Sequence, residues 1–340
     1  MDKGVMLLQS KNLAVGYGHG LANATVLHRN INVQLQMGEL ACLLGPNGAG
    51  KSTLIKTLSG FIKRIDGSVE VNGKELHEYK RGELSQCVSV VLTEKLQVSS
   101  MTVFDLVALG RTPYTDFFGA LKTTDKAMVL EAIDDVGLNG FANRQLVHMS
   151  DGERQKAMIA KALVQDTPLI ILDEPTAFLD LPSKIEIVQL LKRLAKDKNK
   201  GILMSTHDLD LALQLADKIW LLAQGRVLES GIPEDLVLAN GFRRFFEKEG
   251  ILFDNSSGSF KVEREQLKTI RLIGKGIEYK WLSHALNRTG YETTHEDGDY
   301  PQVNIDPDCT KAYKLQHVDG SKHELRTIED LLTEIKRCPQ

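Results

Sequence analysis

The run Gly45-Pro46-Asn47-Gly48-Ala49-Gly50-Lys51-Ser52 constrains this chain more than any other feature. Successive backbone N–H groups can converge on one concavity only where side chains are nearly absent, and a following helix turns the positive end of its dipole to the same point. Such a turn cradles phosphates; the spacing puts Lys51 at the β- and γ-phosphates and Ser52 on Mg²⁺, with Thr53 next to it in the nucleotide site. The flanks agree. Glu39–Leu44 reads as a buried strand, and Ser52–Leu58 as the opening of an amphipathic helix. A strand, this loop and a helix in that order predict an α/β fold that binds ATP or GTP.

The chain has 340 residues, enough for more than one core, so a large domain with a small one is expected. The net charge is −3 with both signs dispersed, so no basic field invites nucleic acid and no nucleic-acid partner is expected. Met1-Asp2-Lys3-Gly4 does not open a basic-then-apolar leader, and no apolar run approaches the roughly 18–20 residues that cross a bilayer. The expectation is a cytoplasmic chain whose role at a membrane would need a partner. Cys42, Cys87, Cys309 and Cys338 form no C-x-x-C pair, which argues against a zinc or disulfide scaffold and fits a reducing compartment.

Alternating apolar and polar positions over 5–35, broken by Gly16, Gly18 and Gly20, predict antiparallel strands joined by a loop. Gly67–Gly73 reads as a strand into a turn and Val88–Leu92 as a buried strand. The period over about 102–163 is helical, giving a helical insert that begins near 94. Leu169–Leu172 and Gly201–Ser205, with a helix around Ser183–Lys196 between them, form the βαβ pattern of a parallel sheet. Ile219–Leu222 and Arg226–Ser230 predict a closing hairpin, and a helix near Glu234–Lys248 ends a domain spanning 1–249. The polar cluster Asp254–Ser259 then opens an α+β accessory domain over 250–340. Its predicted elements are strands at Thr269–Ile273, Val303–Ile305 and Ala312–His317 and helices at Tyr279–Asn287 and Thr327–Lys336.

Asp173 and Glu174 directly follow the apolar strand Leu169–Leu172, so both carboxylates emerge at the C-terminal edge of a parallel sheet, where nucleotides bind. Asp173 is placed for Mg²⁺ and Glu174 for an attacking water. An acidic pair in this position also occurs as simple decoration of a helix N-terminus; the phosphate loop upstream favours the catalytic reading.

Around these residues the chain resembles the ATP-binding cassette (ABC) ATPases over about residues 5–245. Met149-Ser150-Asp151-Gly152-Glu153-Arg154-Gln155 stands where that family carries a Ser-Gly-Gly-Gln-like signature, with Asp151 and Glu153 replacing the usual Gly and Gln. The resemblance implies that Ser150 and Gly152 contact the γ-phosphate across a dimer interface. Ser150-x-x-Glu153 is also a capping box, sufficient to start a helix without nucleotide. The added carboxylates would weaken a closed dimer unless they point away or meet Arg154. Leu179-Asp180 resembles the family's D-loop, which puts Asp180 at the nucleotide. His207 in Ser205-Thr206-His207-Asp208 resembles the switch histidine, and Tyr17 suits the aromatic that stacks on adenine. Glu94 stands where the family has a glutamine, and is read either as a Mg²⁺ ligand or as a solvent-facing loop residue.

The resemblance implies a P-loop NTPase fold with an antiparallel β subdomain and a helical insert. It implies ATP hydrolysis with Mg²⁺ in an ATP-dependent, head-to-tail homodimer, with Lys51, Glu174 and His207 as the catalytic set. The run Val107–Tyr114 resembles the metal-chelate importers for iron-siderophore, haem and cobalamin. The expected partners are therefore integral-membrane permease subunits and, indirectly, a substrate-binding protein, with the chain peripheral on the inner face of the membrane. Two other readings stay open: a soluble cassette acting on the ribosome or DNA, and a poorly hydrolysing regulatory cassette. For the accessory domain the expectations are dimer stabilisation or binding of an inhibitory metabolite.

Overall fold

The computed structural model describes residues 5–18, 25–92, 100–116, 119–247, 251–262, 268–305 and 313–337. The chain divides into two compact units, Met1–Lys261 and Val262–Gln340. The division falls after Lys261, later than the 249/250 boundary read from sequence, because a two-stranded ribbon, all but its last residue, belongs to the first unit. Phe253 of that ribbon is fully buried and packs on Phe242 at a ring separation of 5.1 Å.

In the first unit the strands are β1 (Met6–Tyr17), β2 (Thr25–Ile31), β3 (Gln34–Gln36), β4 (Leu40–Leu44), β5 (Asp66–Val71), β6 (Lys74–Glu75), β7 (Val88–Val91), β8 (Leu169–Leu172), β9 (Gly201–Thr206), β10 (Lys218–Leu221) and β11 (Glu229–Gly231); β12 (Ile251–Asp254) and β13 (Ser259–Val262) form the ribbon. The central sheet runs β11-β10-β4-β9-β8-β7, parallel except for β11. Every residue of β4, β8 and β9 is buried, which is why β4 and β8 read as continuous apolar runs and β9 as one that closes on Ser205 and Thr206.

Strand periodicity divides that sheet between two cores. Leu40, Cys42 and Leu44 of β4, with Ile170, Leu172, Ile202 and Met204, face a helical side that includes Val107, Ile159 and Leu191. Ala41 and Leu43, with Leu169, Ile171, Leu203 and Trp220, face the antiparallel sheet through Leu7, Leu8 and Leu35. Leu54, Ile55 and Leu58 of the helix Lys51–Leu58 join this second core, so the helix that begins the phosphate loop's far side is held by three apolar side chains. The Cys42 thiol is pushed up to about 12 by burial and then by Asp217, so it acts as a small apolar side chain.

The helical insert contains Val103–Ala108, a 3₁₀ turn at Leu109–Tyr114, Thr123–Asp135 and Asp151–Val164. Within Val107–Tyr114, a Cβ on Gly110 would lie 2.2 Å from the Lys161 carbonyl oxygen, so only glycine admits this helix contact. Arg111 is buried beside it, with Nε 2.9 Å from Asp125 Oδ1 and Nη1 3.0 Å from the Val164 carbonyl. That run is therefore internal scaffolding of the insert at both residues.

The helix expected over Glu234–Lys248 is two short helices, Pro233–Leu238 and Gly241–Phe246. Asn240 separates them at φ 57, a left-handed conformation that asparagine tolerates and a continuous helix does not. The closing hairpin pairs Ile219 with Gly231, so its second strand begins at Glu229 rather than Arg226.

The second unit is a five-stranded sheet of β14 (Lys268–Ile273), β15 (Tyr291–Thr294), β16 (Gln302–Ile305), β17 (Tyr313–Gln316) and β18 (Lys322–Leu325), in the order β15-β14-β16-β17-β18. The helices Gly276–Arg288 and Ile328–Arg337 cover it through Leu282, Leu286, Leu331 and Ile335. Sequence reading missed β15 and β18, the two edge strands; Tyr-Glu-Thr-Thr and Lys-His-Glu-Leu carry too little apolar alternation to announce themselves.

Candidate functional site

The phosphate loop joins β4 to the helix Lys51–Leu58, whose N-cap Gly50 sits at φ 92. No side chain caps this helix and no acidic residue occupies its first turn, so its N-terminal N–H groups and dipole remain available to an anion. A Cβ on Gly50 would also meet His28 Nε2 at 3.2 Å, so conformation and space both demand glycine there. The Lys51 ammonium is buried and turned onto the loop, 2.8 Å from the Gly45 carbonyl oxygen and 3.3 Å from that of Pro46.

Two residues brace the loop that the sequence reading did not single out. His28 of β2 is buried, and its Nε2 lies 2.6 Å from the Ala49 carbonyl. A carbonyl only accepts, so this nitrogen carries the proton. Gln224 Nε2 donates to the Gly48 carbonyl at 3.0 Å. No motif marks either residue in sequence; each reaches the loop from a different strand or turn.

Asp173 and Glu174 follow β8 and are ordered by the neighbouring strand β9. Ser205 Oγ donates to Asp173 Oδ1 at 2.7 Å and accepts the Glu174 amide at 2.8 Å. Glu174 takes φ 47, a left-handed conformation that costs a non-glycine residue on the order of 1–3 kcal/mol and is characteristic of functional turns. Its carboxylate stands between two cationic or protonatable groups, with Oε1 3.7 Å from Lys51 Nζ and Oε2 3.9 Å from His207 Nδ1. The structure thus brings together Lys51, Glu174 and His207. Tyr17 is 55% exposed, and its hydroxyl is 2.7 Å from Thr53 Oγ1, which fixes the ring beside the helix that carries Lys51 and Ser52.

The signature-like segment lies elsewhere in the contact network. Ser150 caps the helix Asp151–Val164: its hydroxyl accepts the Glu153 amide at 3.2 Å, and Glu153 Oε2 accepts the Ser150 amide at 2.8 Å. Those Ser150 hydrogen bonds hold the Glu153 carboxyl below its ordinary range, backbone amide first, with Arg144 adding to them. Asp151 meets Arg154 at 3.5 Å and Glu153 meets Arg144 at 3.5 Å, so each added carboxylate has an arginine. A Cβ on Gly152 would lie 3.2 Å from Ser183 Oγ. Asp180 caps the helix Leu181–Asp197 by accepting the Ser183 amide at 3.1 Å. Among the described residues, neither Ser150 nor Gly152 hydrogen-bonds to the phosphate loop. Glu94 lies outside the described residues.

Residues 28–177 match the ABC transporter family, and residues 267–336 match the iron ABC transporter C-terminal domain family. An uncharacterized ABC transporter ATP-binding protein of Methanocaldococcus jannaschii is 40% identical over 267 residues, 78% of this chain and 90% of that protein. The iron(3+)-hydroxamate import ATP-binding protein FhuC of Bacillus subtilis is 34% identical over 240 residues, 71% of this chain and 87% of that protein. A metal-chelate type ABC transporter solved in an inward-facing conformation aligns with TM-score 0.61 and 29% identity, covering 71% of this chain and 89% of that chain. A dimeric ATP-binding cassette in a post-hydrolysis state bound to ADP and Pi aligns with TM-score 0.56 and 26% identity, covering 67% of this chain and 99% of that one. The loop, the carboxylate-bearing strand end and these likenesses agree: the chain belongs to the ATP-binding proteins of ABC transporters, ATPases coupled to transport.

Proposed function

We propose that this chain is the ATP-hydrolysing subunit of an importer that takes up an iron-siderophore or a related metal chelate, such as haem or cobalamin, through a separate permease. The convergence of Lys51, Glu174 and His207 at an uncapped helix N-terminus carries the hydrolytic part of this reading. The match of 267–336 to the iron transporter C-terminal family supports the cargo class. Among the described residues no helix is long and apolar enough to cross a membrane. In this reading the chain works at the inner face of the membrane against permease subunits. A substrate-binding protein would be an indirect partner, upstream of the permease.

On ATP binding, Lys51 would exchange the Gly45 and Pro46 carbonyls for the β- and γ-phosphates, and the loop amides from Gly45 to Thr53 would cradle them. Mg²⁺ would be held by Ser52 and Asp173, with Glu94 as a further ligand, and supplies neutralisation of the phosphate charge. Glu174 orients and polarises the attacking water, His207 holds the γ-phosphate and Tyr17 stacks on adenine. Ser150 and Gly152 of a second, head-to-tail copy would close the site, with Asp180 at the same seam. Exposed Phe178 and Leu181, flanking Leu179-Asp180, suit such an interface. Chemistry of this kind is mostly positioning and charge stabilisation, and dimer closure is its mechanical output.

The test is affinity capture of the Glu174→Gln chain from its native membranes under Mg-ATP, with uptake of radiolabelled iron chelates measured in cells lacking the chain. Recovery of a polytopic permease together with loss of chelate uptake is expected. Recovery of ribosomes or DNA-associated proteins without a permease would overturn the importer reading.

A further inference from the structure

We propose that His317, His323 and Glu334 of the second unit form a binding site for a first-row divalent transition-metal ion. The sequence pattern and sheet register bring them together. In the antiparallel pair β17/β18, His323 lies directly opposite Leu315, a buried core residue, so its side chain shares the core-facing side of the sheet. His317 follows Leu315 by two residues and points to that same side. The turn between them is fixed locally: the His317 amide donates to the Ser321 carbonyl, and Asp319 accepts both the amide and the hydroxyl of Ser321. The helix Ile328–Arg337 then lays Leu331 and Ile335 on this face, which brings Glu334 over the two imidazoles.

One nitrogen from each histidine and one carboxylate oxygen of Glu334 all lie within 4.8 Å of one another. The two rings meet edge to face at 5.7 Å and 86°, and Glu334 Oε1 is 3.8 Å from His323 Nδ1. The other carboxylate oxygen, Oε2, faces Arg337 Nη1 at 3.5 Å, so the side chain divides its oxygens between the arginine and the histidines. His317 is only 7% exposed, and its Nε2 is buried with no hydrogen-bond partner among the described residues. A buried ring nitrogen without a partner carries an uncompensated desolvation cost. An ion pair between His323 and Glu334 alone leaves that cost in place; a bound cation shared by both imidazoles would remove it.

Two imidazoles and one carboxylate select against Mg²⁺ and Ca²⁺, which take oxygen ligands, and suit ions such as Fe²⁺, Co²⁺ and Zn²⁺. With metal–nitrogen bonds of about 2.0–2.1 Å, ligand atoms in a tetrahedral site stand about 3.4 Å apart, so binding requires a closure on the order of 1 Å. Glu334 and the partly exposed His323 can supply it by side-chain rotation, while buried His317 stays fixed. Three protein ligands leave the remaining coordination positions to water or a small ligand.

The site is tested on the full chain, stripped with chelator and free of nucleotide, by titration with Co²⁺ followed in the visible spectrum and with Zn²⁺ by calorimetry. One ion per chain is expected, with affinity at least tenfold weaker in His323→Ala and in Glu334→Gln and unchanged in His207→Ala, a histidine of the nucleotide site. Both substitutions fall on partly exposed positions, so the result does not depend on replacing buried His317. Absence of stoichiometric binding to the unmodified chain, or undiminished binding in both His323→Ala and Glu334→Gln, would overturn the proposal.

Discussion

Ser205 Oγ lies 2.7 Å from Asp173 Oδ1, and the same hydroxyl receives the Glu174 amide at 2.8 Å. One buried hydroxyl on β9 thereby fixes both acidic residues at the end of β8, including the left-handed turn at Glu174. Its removal leaves a buried carboxylate oxygen and a backbone amide each short of one partner, a loss of about 1–3 kcal/mol. Ser205→Ala is expected to lower kcat roughly tenfold or more, since about 1.4 kcal/mol is tenfold in rate, while KM for ATP changes little. Steady-state ATPase measurements check this; an unchanged kcat would show that Ser205 does not position the pair.

Glu174 itself is the expected base-side residue. Glu174→Gln keeps the shape of the side chain and removes its charge, so turnover should fall by about 10²–10⁴-fold, the range for loss of a positioned acid–base group. ATP binding should persist, and the ATP-bound species should elute as a dimer in size-exclusion chromatography. A monomer under saturating Mg-ATP would count against the head-to-tail arrangement.

His28 supports the loop from below through Ala49. His28→Leu removes the donor to that carbonyl and should loosen the loop, raising the dissociation constant for ATP on the order of tenfold, as the loss of one buried hydrogen bond allows. The effect should fall on binding more than on kcat. Fluorescent-nucleotide titration beside a kcat measurement separates the two; equal loss in both would assign His28 to catalysis rather than to loop support.

The phosphate loop, the acidic strand end and the parallel βαβ core were legible because each is written in consecutive residues with a fixed period. Leu169–Leu172 is apolar throughout, and Gly201–Thr206 is apolar up to its closing Ser205-Thr206, because both sheet faces are covered. His28, Gln224 and the positioning role of Ser205 were not legible, because each acts on residues distant in sequence and nothing local marks the contact. The second unit shows the same limit. Its buried strands were found, whereas β15 and β18 sit at sheet edges and keep polar sequences. The grouping of His317, His323 and Glu334 depends on the register of β18, so it too was invisible until that strand was in place.

Glu153 separates capping from charge in the signature-like segment. Glu153→Gln preserves the reciprocal bond to the Ser150 amide and removes a carboxylate from the expected interface, so thermal stability should stay within about 0.5 kcal/mol while ATP-driven dimerisation tightens. Glu153→Ala breaks the box and should cost about 1 kcal/mol. The carboxyl of Glu153 is held low in the folded chain, first by the Ser150 amide. Its stabilisation is therefore present above the unfolded carboxyl value of about 4.3 and is lost as pH falls through the lower folded value. Melting curves for the parent chain and Glu153→Gln should converge at acid pH; a constant difference would show that the carboxylate charge plays no part in the cap.

Arg111 and Asp125 give the insert its own acid sensitivity. Burial pushes the Asp125 carboxyl up, but the Lys122 amide and the Arg111 guanidinium together outweigh burial, and the net shift is downward. A folded value below the unfolded one, near 3.9, means that the pair stabilises the insert above that pH and progressively less as pH drops through the folded value. Asp125→Asn keeps an oxygen that can accept from Arg111 but removes the negative charge, leaving the buried guanidinium to the neutral Asn, the Val164 carbonyl and the Tyr114 ring, 4.0 Å from the Arg111 carbon. Loss of one partner of a buried pair costs about 3–5 kcal/mol, so Asp125→Asn should lower the melting temperature substantially at neutral pH. The double substitution Arg111→Met with Asp125→Leu removes both charges and should recover much of that loss. Thermal denaturation of the three chains decides the point. A double variant no more stable than Asp125→Asn would mean that the pair holds the helices through geometry that apolar packing does not replace.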